Sequence, residues 1–226
     1  MKTRTTVCIV ALCGVLAVVA GRAASQEPAG AEKAFKPPSP EEMQKAMAAY
    51  MKLGQPGPNH RHLEPLIGKW DTVSRMWMAG PDQPPTESKG TAENRWVLDG
   101  RFMLSEAESL MQMPNPADPE HPMKVPFKGM GLTGYNNFRN TYFGSWADNM
   151  GTQMLTFKGT RNPQSGEFVY YGEMDEPYLP GIGQVVGRYV RYVTRIINKN
   201  KHVLEVYDLH VGEDYKAFEI VYTRRK

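Results

Sequence analysis

The sequence has little cysteine, and both of its cysteines lie near the N-terminus. Cys8 and Cys13 are the two cysteines of the 226-residue chain. Residues 14–226 therefore contain no thiol, so that part of the chain cannot form a disulfide, a thiolate nucleophile or a cysteine-ligated metal site. An oxidising compartment is compatible with this composition, although the chain uses none of that compartment's chemistry.

An excess of charge of one sign is also missing from most of the chain. Residues 1–25 hold three of the 27 basic residues and no acidic residue, which leaves 24 residues of each sign in residues 26–226. A protein that binds nucleic acid through its phosphates needs a net basic face. The balanced charge therefore predicts no nucleic-acid partner.

Long apolar runs are absent except for Val7 to Ala20. Lys2 and Arg4 precede this run and small residues follow it up to Ser25, which is the order of a secretory signal peptide. The run is shorter than the ~20 apolar residues of a membrane span. We expect residues 1–25 to be a signal peptide that directs the chain to the periplasm or outside the cell. Cleavage is expected after Ser25 or after Ala23, and an uncleaved anchor is the alternative.

One helix is predicted, over residues 39–54. It follows residues 26–38, which are rich in Ala, Glu, Lys and Pro and predict a disordered lead-in. Ser39, Pro40 and Glu42 have the spacing of an N-cap with a capping box, and Gly54 ends the pattern. The apolar residues form one stripe, which comprises Met43, Ala46, Met47, Tyr50 and Met51. We expect this stripe to pack on the helix's own domain. The alternative is a lid or a partner-binding helix.

From Leu66 onward the hydrophobic pattern has a period of two, which is typical of β-strands. Turn signals such as Asp99-Gly100 divide this region into about ten short strands, and their short connections favour up-and-down order. Residues 113–126 contain five prolines and, like residues 177–183, predict a loop. Several strands carry polar and apolar residues on both faces, which favours a barrel with a cavity or a sheet at an oligomer interface. We therefore predict an all-β fold, an antiparallel barrel over residues 63–226 with one N-terminal helix.

Five short segments resemble a known bacterial family, the "domain of unknown function 1579". The similarity spans roughly Leu63 to Lys226. The segments that carry it are Leu63–Trp70, Leu98–Phe102, Gly131–Asn137, Trp146–Thr152 and Glu219–Arg224.

The resemblance implies a lipocalin-like barrel in a commonly exported protein, with no established reaction, substrate or cofactor. One departure is visible, because the family's G-Y-D-N reads Gly134-Tyr135-Asn136-Asn137 here. No acid is available at that point, whereas Asn136 still suits a turn.

The leading functional hypothesis is that a small apolar or amphipathic molecule binds inside the barrel. Ligand pockets are mostly apolar and have a few orienting polar groups. The proposed polar anchors are Arg95 and Glu106, and Asp148 is a further candidate ligand-binding residue. The proposed apolar lining residues are Trp70, Met76, Trp96, Met103, Tyr135, Trp146 and Tyr192.

Two other classes of function remain open. One is an enzyme that uses carboxylates at the barrel mouth, namely Asp148, Glu106 or the cluster Glu173, Asp175 and Glu176. The same residue types also serve as hairpin turns, cross-strand ion pairs and solvated loops. The other class is a structural or oligomeric barrel whose core is filled by side chains.

No metal site or cofactor is predicted. His60 and His62 have ligand-like spacing but lack further spaced ligands, and Met76 with Met78 lacks nearby His or Cys partners. A single strand histidine, His202 or His210, is the type of ligand that can hold haem, but such a residue is more often a packed or surface side chain. The glycine patterns of nucleotide-binding loops and the G-x-S-x-G motif are absent from the sequence.

Overall fold

A computed structural model describes residues 36–77, 80, 82–113, 115, 117–118, 121–179 and 183–226, with the backbone alone for 176–179 and 183–186. The expected signal peptide and most of the expected lead-in lie outside these residues. No helix in the described part of the chain is long and apolar enough to cross a membrane.

The N-terminal helix α1 spans Pro40–Leu53, and its predicted capping box is present. The Glu42 amide donates to Ser39 Oγ over 3.3 Å, and the Ser39 amide donates to Glu42 Oε2 over 2.7 Å. These reciprocal bonds satisfy amides that have no partner within the helix. The helix therefore begins where local chemistry favours it.

The expectation that α1 packs its apolar stripe on the barrel is wrong. Met43, Met47, Tyr50 and Met51 are each more than half exposed. Among the described residues, the helix contacts the barrel at its C-terminal end, where the Asn137 side chain donates to Leu53 O over 2.7 Å and the Tyr50 and Phe138 ring centroids are 5.9 Å apart. Capping and a good helical start stabilise α1 locally without burial of its stripe.

Ten antiparallel strands follow and close into a barrel in which each strand pairs with its sequence neighbours and β1 pairs with β10. The predicted all-β, up-and-down architecture is confirmed. The strands are β1 Gly68–Met76, β2 Thr86–Val97, β3 Phe102–Met113, β4 Met123–Asn136, β5 Thr141–Asp148, β6 Leu155–Arg161, β7 Phe168–Leu179, β8 Gly183–Asn198, β9 Lys201–Asp208 and β10 Lys216–Arg224.

Both predicted loops are shorter than expected, because strands extend into them. Strand β4 contains Pro126, whose carbonyl accepts a 3.0 Å hydrogen bond from the Asn149 side chain. The N–H and the carbonyl of one strand residue point to the same side, and on that side β5 has already ended, so the missing N–H of Pro126 costs no ladder bond. Strand β7 reaches Leu179 through two register shifts that surround Glu176 and Pro177. Such bulges accommodate a proline in a strand.

One end of the barrel is closed by the plug, defined here as residues 58–67. It contains helix α2, Pro58–Arg61, and a short 3-10 helix, Glu64–Leu66. Leu63 is fully buried and Leu66 is 6% exposed. Both pack against barrel side chains that form the main core, including Met103, Tyr142, Phe168 and Tyr170. The half of the barrel next to the plug is called the closed half. The other half, at whose end β1 stops and β2 begins, is called the distal half.

Candidate functional site

The two halves of the barrel differ in how well their inward side chains are buried. In the closed half, the central side chains Trp70, Phe168 and Tyr142 are buried. The side chains around them are partly buried, and these include Trp96, Tyr135 and Ile196. In the distal half, inward-facing apolar side chains remain partly exposed, and these include Met76, Met111, Phe127, Trp146, Leu155 and Phe218. A filled core would exclude solvent from such side chains. Solvent therefore reaches the inner wall of the distal half.

Trp146 forms the broadest apolar surface of that wall. Its ring lies flat over two glycines of β4, because a Cβ at Gly129 or Gly131 would overlap the indole. Phe127 lies beside it, nearly parallel, with ring centroids 6.5 Å apart. The glycines therefore allow a large aromatic to lie against the sheet, as expected where a backbone must be approached closely.

A buried charged pair lies on β8 and β9. Arg188 Nη1 is 3.1 Å from Asp208 Oδ2, and their side chains are 10% and 3% exposed. Both residues face inward by strand register, since Arg188 pairs with Met174 and Asp208 with Val190. A buried ion pair is a fixed dipole in a setting of low dielectric constant. The inner wall thus has an apolar side and a polar side.

The hydroxyl of Tyr192 adds a second polar group to the interior. It is buried and has no hydrogen-bond partner. Burial raises the pKa of Tyr192 to about 12, so the phenol is neutral and can donate a hydrogen bond. The Tyr192 ring packs beside Phe157, with centroids 5.4 Å apart.

The seven predicted apolar lining residues all face inward, but they divide between the two halves. Met76 and Trp146 lie in the distal half. The others belong to the closed half or border it, and these are Trp70, Trp96, Met103, Tyr135 and Tyr192. Trp70 serves the plug directly, because its Nε1 donates to Leu66 O over 3.0 Å.

The predicted polar anchors lie on the outer wall. Arg95 Nη1 and Glu106 Oε2 are 2.8 Å apart, with side chains 46% and 50% exposed. Their strand partners are Leu104 and Glu93, so the pair bridges diagonally across the outside of β2 and β3. Neither side chain faces the interior, and the contact is an ordinary surface ion pair.

Two of the carboxylates considered for catalysis, Asp148 and Asp175, accept hydrogen bonds from nearby groups of the protein. Asp148 accepts from Trp146 Nε1 over 3.1 Å and from the Met150 amide over 3.0 Å. Asp175 accepts from the Gly187 amide over 2.9 Å, and Glu173 is exposed. The side chain of Glu176 lies outside the described residues. The Asp148 contacts orient Trp146 and stabilise the turn after β5, and the Asp175 contact joins β7 to β8.

No group of three or more metal-ligating His, Cys, Asp or Glu side chains occurs among the described residues. His60 is buried in the plug, where its Nδ1 accepts from the Gly57 amide over 3.0 Å. His202 packs between Trp70 and Tyr222, at centroid distances of 4.3 and 4.1 Å. His210 is exposed in a turn, and Met78 lies outside the described residues.

Sequence reasoning missed the polar side of the interior and part of its apolar wall. Arg188 and Asp208 are 20 positions apart, and only the β8–β9 register brings them together. Phe127 and Leu155 become wall residues through their strand partners Ser109 and Trp146. The alternation of each strand was visible in the sequence, but the direction of each face depends on long-range pairing.

The comparisons with known proteins support the family and leave the function open. No curated protein matches the chain. Among solved structures, the chain is similar to "Crystal Structure of Rv2717c from M. tuberculosis", with 16% identity, a TM-score of 0.49, and coverage of 76% of this chain and 100% of that one. The model of a family described as "Protein of unknown function (DUF1579)" matches residues 55–224. The resemblance read from the sequence motifs is thereby confirmed, and the chain belongs to the DUF1579 family.

Proposed function

We propose that the protein binds a small amphipathic molecule in the distal half of the barrel. The observation that carries this proposal is the set of inward apolar side chains in the distal half that stay partly exposed, next to a closed half whose central aromatic side chains are buried. Ligand sites in proteins are concave and mostly apolar, with a few polar groups that orient the ligand. We also propose that residues 1–25 are cleaved and that the mature protein acts in the periplasm or outside the cell.

The arrangement of the wall favours an amphipathic ligand over a purely apolar one. Trp146, Phe127 and Leu155 offer a continuous surface for an alkyl or ring system. The Arg188–Asp208 ion pair provides a fixed dipole on the strands β8 and β9. Burial of a polar ligand group without a hydrogen bond is costly, so its head group is expected to lie near this pair.

Binding is favoured over the enzymatic alternative by the state of the carboxylates. In the described part of the chain, the Asp148 carboxylate accepts from the Trp146 indole and the Met150 amide, and Glu106 lies on the outer wall of the barrel. A carboxyl group can act as a general acid or base only when it lies within hydrogen-bond reach of a substrate.

Quenching of Trp146 fluorescence by a dodecanoic acid with bromine on its chain tests the proposal. Bromine quenches indoles at contact, so saturable quenching is expected. Trp146→Phe is expected to lose most of the quenching. Trp77→Phe is the matched control and should keep it, because Trp77 lies beyond the end of β1, beneath the Lys216 ammonium.

A pair of charge-matched leucine variants locates the ligand. Leu155→Glu puts a carboxylate on the inner wall and is expected to weaken binding of the brominated acid by at least about tenfold, since buried charge is costly. Leu132→Glu puts the same charge on the outer wall, where Leu132 is 37% exposed, and should change binding by less than about twofold. Equal effects of the two variants, or no saturable quenching of the wild-type protein, would overturn the proposal. Circular dichroism of each variant checks that the barrel is intact.

A further inference from the structure

A separate pocket of about 260 Å³ lies between the plug and the strands of the closed half. Polar and aromatic side chains line it, and those that carry the argument are Asn59, His62, Tyr135, Asn140, Tyr142 and Arg161. The plug contributes Asn59 and His62, and strand β6 ends at Arg161. The pocket opens at the opposite end of the barrel from Trp146, so it is independent of the proposed ligand site.

Arg161 is the notable group in this pocket. Its Nε is buried and has no hydrogen-bond partner, and the residue forms no ion pair with any carboxylate of the described chain. Its Cζ lies 5.9 Å from the centre of the Phe168 ring. On the other side, a Cβ at Gly166 would come within 3.0 Å of Nη2, so the glycine leaves space for the guanidinium.

The guanidinium of Arg161 therefore has a buried donor, Nε, without a hydrogen-bond acceptor. Leaving a buried donor without an acceptor is unfavourable, and more so for a charged group. Arginine presents its donors in a planar fork that matches the two oxygens of a carboxylate or phosphate. An oxyanion in the pocket can accept from the Nη groups of Arg161, which are accessible and make no hydrogen bond within the described part of the chain.

The groups beside Arg161 make the pocket electropositive. Burial lowers the pKa of His62, and the positive charges of Arg161 and Arg61 lower it further. The same Arg161 charge acts on Tyr142, whose pKa is nevertheless raised by burial to about 12. Arg61 on α2 and Arg161 on β6 therefore place two positive charges near the pocket.

The hydrogen bonds of Tyr142 determine which proton His62 carries. The Tyr142 hydroxyl donates its single proton to Asn59 O over 2.9 Å. It must therefore accept from His62 Nδ1, which lies 3.0 Å away. In neutral His62 this leaves Nε2 as an acceptor, and a second proton turns Nε2 into a donor.

We propose that this pocket binds a small oxyanionic group, a phosphate or a carboxylate, through the guanidinium of Arg161. Tyr135 and Asn140 lie at its edge, where the Tyr135 hydroxyl donates to Asn140 Oδ1 over 3.4 Å, a long bond that a ligand can replace. The anion can be free in solution or part of a larger phosphorylated molecule.

Nuclear magnetic resonance of arginine side chains tests the proposal on the whole protein. The Nε–H signal of Arg161 is expected to shift saturably with inorganic phosphate or with glycerol 3-phosphate, whichever source fits the pocket. By calorimetry, Arg161→Gln should weaken binding by at least about tenfold, while Arg161→Lys keeps the charge and should retain part of the affinity. Arg95→Gln is the control, because it removes a cation from the outer wall and should leave binding unchanged.

Sulfate adds a readout that depends on His62, because its charge is constant over the range used. Sulfate binding is expected to tighten from pH 8 to pH 5.5, because His62 gains its second proton in this range. The groups around His62 are Tyr142, Asn59, Arg61 and Arg161. His62→Gln should abolish the dependence of binding on pH. A linear, unsaturable shift of the Arg161 signal, or equal anion binding by the wild type and a folded Arg161→Gln variant, would refute the proposal. Thermal unfolding confirms that each variant is folded.

Discussion

Acidification from pH 6.5 to pH 3 is expected to lower the free energy of unfolding by about 4 kcal/mol through His202, with about 2 kcal/mol of this loss above pH 4.5. His202 is 4% exposed. Burial, and then the charge of Arg224, lowers its pKa from 6.5 to about 3. Its ring stacks on Tyr222 at 4.1 Å between centroids and meets the Trp70 ring edge to face at 4.3 Å. A second proton would place a charge inside this aromatic packing.

The sign of the effect follows from proton binding. Below pH 6.5 the unfolded chain protonates His202, while the folded chain does not until about pH 3. The unfolded state therefore binds more protons in this window, and acid favours it. The stabilisation is fully present above pH 6.5 and declines as the pH falls toward 3.

Urea unfolding at pH 6.5, 5.5 and 4.5 measures this dependence, in a range where most carboxylates remain ionised. His202→Gln is expected to lower stability overall but to flatten its dependence on pH. His121→Gln is the control, because the His121 side chain is 79% exposed. His60, whose pKa is also lowered by burial, leaves a smaller residual slope. An unchanged slope in His202→Gln would show that this histidine is not the acid-sensitive group.

Trp70→Ala is expected to lower the free energy of unfolding by about 3–5 kcal/mol. Trp70 is fully buried. Its Nε1 and the Asn94 side chain both donate to Leu66 O, over 3.0 and 2.8 Å, so one carbonyl of the plug is held by two strands. Arg224 covers the indole, with its Cζ 4.1 Å from the ring centre. The substitution leaves a cavity and removes part of the plug's attachment.

Chemical denaturation measures this loss, and two further variants separate its causes. Trp70→Phe keeps an aromatic ring but loses the hydrogen bond, so it should cost less than Trp70→Ala. Trp77→Ala removes an indole that is only partly buried and should cost less than about 2 kcal/mol. Similar losses for Trp70→Ala and Trp77→Ala would mean that the plug does not depend on Trp70.

The features that were predictable from the sequence are those encoded over a few residues. Ser39 and Glu42 form a capping box because both partners lie within one helical turn. The turn at Asp99-Gly100 joins β2 and β3 as predicted, with positive φ at Leu98, Asp99 and Gly100. Short-range signals such as these were sufficient to predict a meander of ten strands.

The features that were missed depend on pairing between distant parts of the chain. The exposed stripe of α1 follows from where its last turn is attached, by Asn137 more than 80 positions away. The same holds for Arg95 and Glu106, which the hairpin register directs outward. The inward polar pair Arg188 and Asp208 needed the β8–β9 register as well. A one-residue change of register would turn these strand residues to the other face of the sheet, and periodicity alone does not determine the register.

Native mass spectrometry of the mature protein purified from its cellular compartment distinguishes an occupied barrel from an empty one. We expect a mass that exceeds the bare chain by one stoichiometric small molecule, released on denaturation and identified as amphipathic. Leu155→Glu should reduce this excess mass, and Leu132→Glu should not. A mass equal to that of the bare chain, with no uptake of the brominated acid or of other lipids, would contradict ligand binding and favour a barrel whose interior has no occupant.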